Sequence, residues 1–213
     1  MTSGRPHRRR VTSAQIRAVV FLGALAVCTL AGAVFTTLEG AQAPSAGPGY
    51  DRLEALVGVW RLDGSVKAVP EMGETDAGPV VYTHVNRMIN GGFFLETRRT
   101  GTGPRGAVSE LFVYSYNPVS KTYRQDGYSN RGVIRTFTGT IEGQTWVFKG
   151  TNTPLTGDTT LERFTLVYAP DMSSATVRSE HSKNGIDWFE RLTGTYTRVS
   201  SRVPPGLVAP FTP

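Results

Sequence analysis

From Gly58 to Arg198 the chain keeps a period of two. β-Branched and aromatic residues alternate with polar ones, and turn-forming residues interrupt the alternation about every ten positions. That pattern commits the segment to half-buried strands and supplies no covering helix. The expected strands run 58–68, 79–89, 93–100, 108–116, 121–128, 132–141, 144–150, 161–169, 174–182 and 186–198. Among the joints are Asn90-Gly91-Gly92, Asn117-Pro118, Asp126-Gly127 near a strand end, Glu142-Gly143 and Asn184-Gly185, residue types that accept the positive φ of tight turns at low cost. Connections this short force antiparallel neighbours. A meander of about ten such strands buries one face by closing on itself, which also removes the edges a sandwich would have to protect. The expected fold is an all-β, antiparallel, up-and-down barrel. One short helix precedes it, where Asp51 caps, Glu54 returns the bond, and Leu53, Leu56 and Val57 form an apolar face.

The 23 Lys and Arg against 17 Asp and Glu suggest a nucleic-acid or membrane partner until their positions are read. Residues 1–43 hold five arginines and one glutamate, so the remainder carries 18 basic and 16 acidic residues, a net of +2. No nucleic-acid partner is expected. Behind Arg5, Arg8, Arg9, Arg10 and Arg17, residues 18–35 form an uncharged apolar run, and Ala41-Gln42-Ala43 offers a cleavage pattern, as does Ala31-Gly32-Ala33. These features predict an export signal, with an uncleaved membrane anchor as the alternative. Pro44 hinders cleavage after Ala43, and Val27 is too large for a lipid-anchor box around Cys28, the single cysteine. The expected organisation is a signal or anchor over 1–43, a linker over 44–50, a barrel domain over 51–199 and a Pro-rich tail over 200–213. The expected location is periplasm, envelope or extracellular space, with membrane contact only through the N-terminal segment.

Gly58-Val59-Trp60 opens the first strand directly after the short helix, and Arg198 stands near the end of the last. This arrangement resembles the calycin superfamily, which implies a tryptophan closing the barrel floor under a basic residue, a cation–π contact. Further along come Leu111 to Tyr123 (LFVYSYNPVSKTY), Thr138-Gly139-Thr140-Ile141-Glu142-Gly143, and Ser182 to Trp188 (SKNGIDW). Together these resemble a bacterial lipocalin-like family, domain of unknown function 1579, over most of residues 53–198. The resemblance implies a calycin-type barrel, commonly exported, without an established activity.

Strand phase then nominates an interior. Tyr82, His84, Asn86 and Met88 share one face, as do Ala175, Val177, Ser179 and His181. An inward histidine could ligate haem, as in barrels of the nitrobindin type, act as acid or base, or be a hydrogen-bonded wall residue. Arg135 shares a phase with Val133 and Phe137, and Glu190 with Trp188, Leu192 and Arg198, which suits either a polar lining for a ligand headgroup or a salt bridge. The expected ligand-binding set is Tyr82, His84, Arg135, Phe137, His181 and Trp188, and the expected closure set is Gly58, Trp60 and Arg198. Gly101 to Gly106 (GTGPRG) fits G-x-G-x-x-G formally, but Pro104 and a following strand make it a hairpin. No metal cluster and no enzyme motif is present in the sequence. The expected function is binding of a small apolar or amphipathic molecule without a cofactor. The alternatives are an envelope interaction protein with a filled barrel, a haem-binding barrel, or a barrel enzyme.

Overall fold

The computed structural model describes residues 47–206. The expected export segment, its cleavage patterns and Cys28 lie outside the described residues. One helix, α1 (Pro48–Glu54), precedes ten strands: β1 (Gly58–Val66), β2 (Gly78–Ile89), β3 (Phe94–Gly103), β4 (Gly106–Asn117), β5 (Thr122–Ser129), β6 (Ile134–Glu142), β7 (Thr145–Thr153), β8 (Thr160–Tyr168), β9 (Ser174–Ser182) and β10 (Phe189–Ser200). Each strand pairs antiparallel with the next, and β10 returns to β1, so the sheet closes into a barrel. Among the described residues no helix is long and apolar enough to cross a membrane.

Three local expectations are corrected. α1 starts at Pro48 rather than Asp51, because the fixed φ of a first-turn proline begins the helix, and its Gly47 cap makes no side-chain bond. Asp126-Gly127 lies inside β5 and not at a turn. Gly127 faces Phe112 across the ladder, and a Cβ there would sit 2.6 Å from the Phe112 ring, so glycine is needed for space. β10 begins at Phe189, because the Ser182–Trp188 connection is a turn held by the Ser182 hydroxyl and the Asn184 side chain.

The barrel is closed at the α1 end. Leu53 and Leu56 are buried there against Trp60. A helix leaves its last carbonyls without partners, and here the strands supply donors. Trp60 Nε1 and Asn86 Nδ2 both donate to the Leu56 carbonyl, at 2.9 and 3.0 Å. Arg198 Nη2 donates to the carbonyls of Ala55 and Val57, and its guanidinium lies 4.9 Å above the Trp60 ring. Trp60 and Arg198 are register partners across the β1–β10 seam. Gly58 is obligatory beside them. Its φ is +127°, and a Cβ would come within 2.1 Å of the Ser200 carbonyl oxygen.

Above this floor Trp146, Phe148, Tyr123, Phe137, Phe164 and Tyr168 form a connected aromatic layer, with Phe148 stacked on Phe164 at 5.0 Å and Trp146 tilted on Tyr168 at 5.3 Å. The lower half of the barrel is therefore filled. Replacing Trp60 with alanine should cost about 3–5 kcal/mol and Arg198→Ala less. Chemical denaturation of the two single variants and the double variant checks this: the losses should be non-additive, and additive losses would separate the guanidinium from the tryptophan.

Candidate functional site

Beyond the aromatic layer the interior opens into a cavity of about 570 Å³. Its mouth is framed by the β1–β2, β3–β4, β5–β6 and β7–β8 connections. Strand alternation places an apolar set on its walls, including Phe112, Phe137, Phe164, Leu166 and Val177. The same phase brings a belt of charged and polar side chains to the wall nearer the mouth.

That belt follows from register. On adjacent strands His84 pairs with Arg99, Arg99 with Glu110, Arg135 with Asn152, and Glu162 with His181. Arg135 Nη1 donates to Glu110 Oε1 at 2.5 Å, while Arg99 Nη2 faces the other carboxylate oxygen. The Glu110 side chain is only 3% exposed. Two guanidiniums thus share one carboxylate, and Glu162 is a further negative charge close enough to act on both. Burial, followed by the nearby Arg135 charge, lowers the Arg99 pKa. The Arg99 guanidinium also covers the Tyr82 and Phe112 rings, at 4.8 and 5.0 Å. The Gln125 Oε1 is buried without a hydrogen-bond partner, and Gln125 lines the cavity.

His84 is buried, and desolvation together with the Arg99 charge holds its pKa well below the ordinary imidazole value, so its ring is neutral. Its Nε2 lies 3.4 Å from the Tyr196 hydroxyl, whose pKa burial pushes up to about 12. His181 is the opposite case. Its Nδ1 contacts Glu74 Oε1 at 2.8 Å and its Nε2 lies 3.6 Å from Glu162 Oε2. Burial works to lower its pKa, but the two carboxylates overcome that and raise it to about 9. Burial likewise opposes ionisation of Glu162, yet His181, Arg135 and the Ser179 hydroxyl bring it down to about 2.

Tyr82, His84, Arg135, Phe137 and His181 therefore come together around one cavity. Trp188 does not, and its expected place in the lining is corrected. The β9–β10 ladder shifts register between Glu190 and Leu192, which reverses the inward phase at that point. Leu192 and Tyr196 line the cavity, whereas Trp188 lies under the Arg163 guanidinium at 4.4 Å and donates from Nε1 to the Gly185 carbonyl. Glu190 pairs with Lys67 and Arg178 instead of Arg135. Arg99, Glu110, Gln125, Glu162 and Arg191 were not anticipated. The available signal was phase, since Glu110 alternates in step with Phe112 and Tyr114.

The histidines do not suit haem ligation. His181 has both ring nitrogens directed at carboxylates, and the Nε2 of His84 faces a hydroxyl beside a guanidinium. Among the described residues no group of three or more His, Cys, Asp or Glu is placed to hold a metal ion.

No family model matches the chain, and no curated protein matches it. Fifteen solved chains match, among them the crystal structure of Rv2717c from M. tuberculosis. The likeness is one of fold. At 14% identity and a TM-score of 0.53, it covers 72% of this chain and 99% of that one.

The folded pKa of His181 lies above its ordinary value of 6.5. Its stabilising contribution is therefore complete below about 6.5 and is lost as pH rises through about 9. Denaturation of the wild-type protein should show this loss of stability between neutral pH and pH about 9, and His181→Gln should flatten the profile there. An unchanged slope in that variant would remove His181 as its source.

Proposed function

We propose that this protein is an exported barrel that reversibly binds a small amphipathic molecule carrying an anionic group. The observation that carries this reading is the pair of guanidiniums, Arg99 and Arg135, sharing Glu110 on the wall of a cavity that also presents an apolar set, Phe112, Phe137, Phe164, Leu166 and Val177. A ligand carboxylate offered to this pair gains two charge-assisted donors while its apolar part rests on Phe137 and Phe164. The volume lies in the range of about 300–1,000 Å³ usual for small-molecule sites. It argues against a barrel filled by its own side chains, which the envelope interaction reading requires.

Export through residues 1–43 is part of the proposal, supported by their basic front, apolar run and small-residue patterns. The resemblance to domain of unknown function 1579 points the same way. Haem gains no support from the histidine geometry, and nothing in the site favours a reaction over binding.

Native mass spectrometry of the protein purified from its own host reads an occupied cavity by mass. An absorption band of bound haem in that preparation would transfer the reading to haem. Binding titrations test the ligand class. Dodecanoate should bind about ten- to a hundredfold more tightly than dodecanol, the range of one lost charge-assisted hydrogen bond, and Arg135→Met should abolish the difference. Equal affinities in the wild type would overturn the anionic class, and failure of both ligands to bind would overturn the binding reading. A chain beginning at Ala46 should fold with a β-type circular dichroism spectrum, and an unfolded product would move the domain boundary.

A further inference from the structure

The connection from β1 to β2, residues 67–77, is unlike the other connections at the mouth. Val69 and Glu74 pair through both backbone groups, Val69 N to Glu74 O at 2.6 Å and Glu74 N to Val69 O at 3.1 Å, around a 3-10 turn at Pro70–Met72. The segment is therefore a small closed unit rather than an open loop. It buries Val69 and Met72, and Met72 lines the cavity. By contrast, the β7–β8 connection on the mouth presents exposed residues, with Leu155 79% accessible.

Its polar anchors reach past β1 and β2 to distant elements. Glu74 Oε1 contacts His181 on β9, and Glu74 Oε2 lies 2.8 Å from Arg191 Nε on β10. Asp76 Oδ2 contacts Arg191 Nη2 at 2.7 Å, and Asp76 Oδ1 accepts from Arg105 Nε in the β3–β4 turn at 2.9 Å. Arg191 also donates from Nη1 to the Asp76 carbonyl at 2.7 Å and to the Lys67 carbonyl. The His181 and Arg191 side chains are each only 9% exposed. Arg191 thus has both its counter-charges on a loop and none on a neighbouring strand, and His181 is shared between Glu74 of the loop and Glu162, its partner across the β8–β9 ladder. A wall residue would be expected to find its partner across the ladder, as Arg99 and Glu110 do.

We propose that the β1–β2 connection is a gate over the cavity, latched by Glu74 and Asp76 in a cationic seat made by His181, Arg191 and Arg105, and that ligand exchange requires its release. The wall offers no other moving part, because every strand is hydrogen-bonded on both sides. Glu74 and Asp76 are each 19% exposed, so water can take over their charges as they leave the seat, and no strand ladder has to part. His181 also faces Glu162 on the cavity wall, which places one end of the latch within reach of whatever occupies the cavity.

A gate presupposes the ligand-binding reading above, and the experiment separates the two. Stopped-flow binding of 1-anilinonaphthalene-8-sulfonate, an anionic amphiphile, is compared between the protein as purified and its Glu74→Gln and Glu74→Gln/Asp76→Asn variants. Both association and dissociation rate constants should rise about tenfold or more in the variants, and the faster dissociation separates an opened gate from the added attraction of the uncovered cations for the anion, which alone would slow it. Hydrogen exchange is read in parallel. Amides of Val69, Met72, Gly73 and Glu74 should lose protection about tenfold in the variants while β2 and β9 keep theirs. Unchanged rates with wild-type binding intact overturn the gate alone. Unchanged exchange at residues 69–74 overturns the latch. Loss of protection throughout the barrel makes these acids structural and also overturns it. A wild-type protein that binds no probe overturns the ligand-binding reading and the gate together.

Discussion

The structure depends on how the end of α1 is satisfied. Three carbonyls at the helix end, those of Ala55, Leu56 and Val57, would otherwise sit in an apolar interior without donors, a cost of about 1–3 kcal/mol each. Their donors come from β1, β2 and β10, strands that meet only once the sheet has closed. Helix docking and barrel closure are thereby one event. Gly58 makes the approach sterically feasible, and Arg198 contributes twice, through its bonds to the helix and through its position over Trp60. A conventional helix cap would satisfy the carbonyls but would not join the first strand to the last.

A closed and plugged floor allows the other end to be expensive. Arg99, Glu110, Arg135, Glu162 and His181 are all substantially buried, and charge pairs in such places recover their desolvation only when geometry and hydrogen bonding are good. An aromatic or aliphatic set of similar volume would give a more stable barrel. The arrangement is nevertheless ordered, with large rings below and ionised groups above, and the boundary between them coincides with the bottom of the cavity. Such a division assigns stability to one half of the barrel and chemical selectivity to the other.

Much of this was legible in the sequence because hairpin chemistry is local. Ten strands and their antiparallel order follow from spacing and turn residues, whereas the Gly58, Trp60 and Arg198 closure is what the resemblance to the calycin superfamily implies. Inward phase was legible for Tyr82, His84, Arg135, Phe137 and His181, whose strands run without interruption at those points. It failed at Trp188 and Glu190, because a register shift between Glu190 and Leu192 leaves no residue signature and reverses every side chain before it. Partners were the least legible feature. Glu110 is 25 positions from Arg135, and Glu74 is 107 from His181, so each pairing exists only after the register is set.

Closure also determines where motion can occur. In an open sheet an edge strand can peel away and admit a ligand, but a cylinder hydrogen-bonded all round has no edge, and parting two strands would break a ladder of several bonds. The floor is no easier, since α1 is held there by donors from three strands and by the burial of Leu53 and Leu56. Access is therefore confined to the connections at the mouth, which are held to the wall mainly by side-chain contacts and not by a strand ladder on both sides. The same seam that ties β1 to β10 carries Arg191 at its upper end and Arg198 at its lower end, the first holding a loop and the second a helix. One strand thus sets a rigid floor and an adjustable mouth, and the difference between them lies in what each arginine binds: helix carbonyls, which cannot leave without unfolding, or carboxylates on a loop, which can.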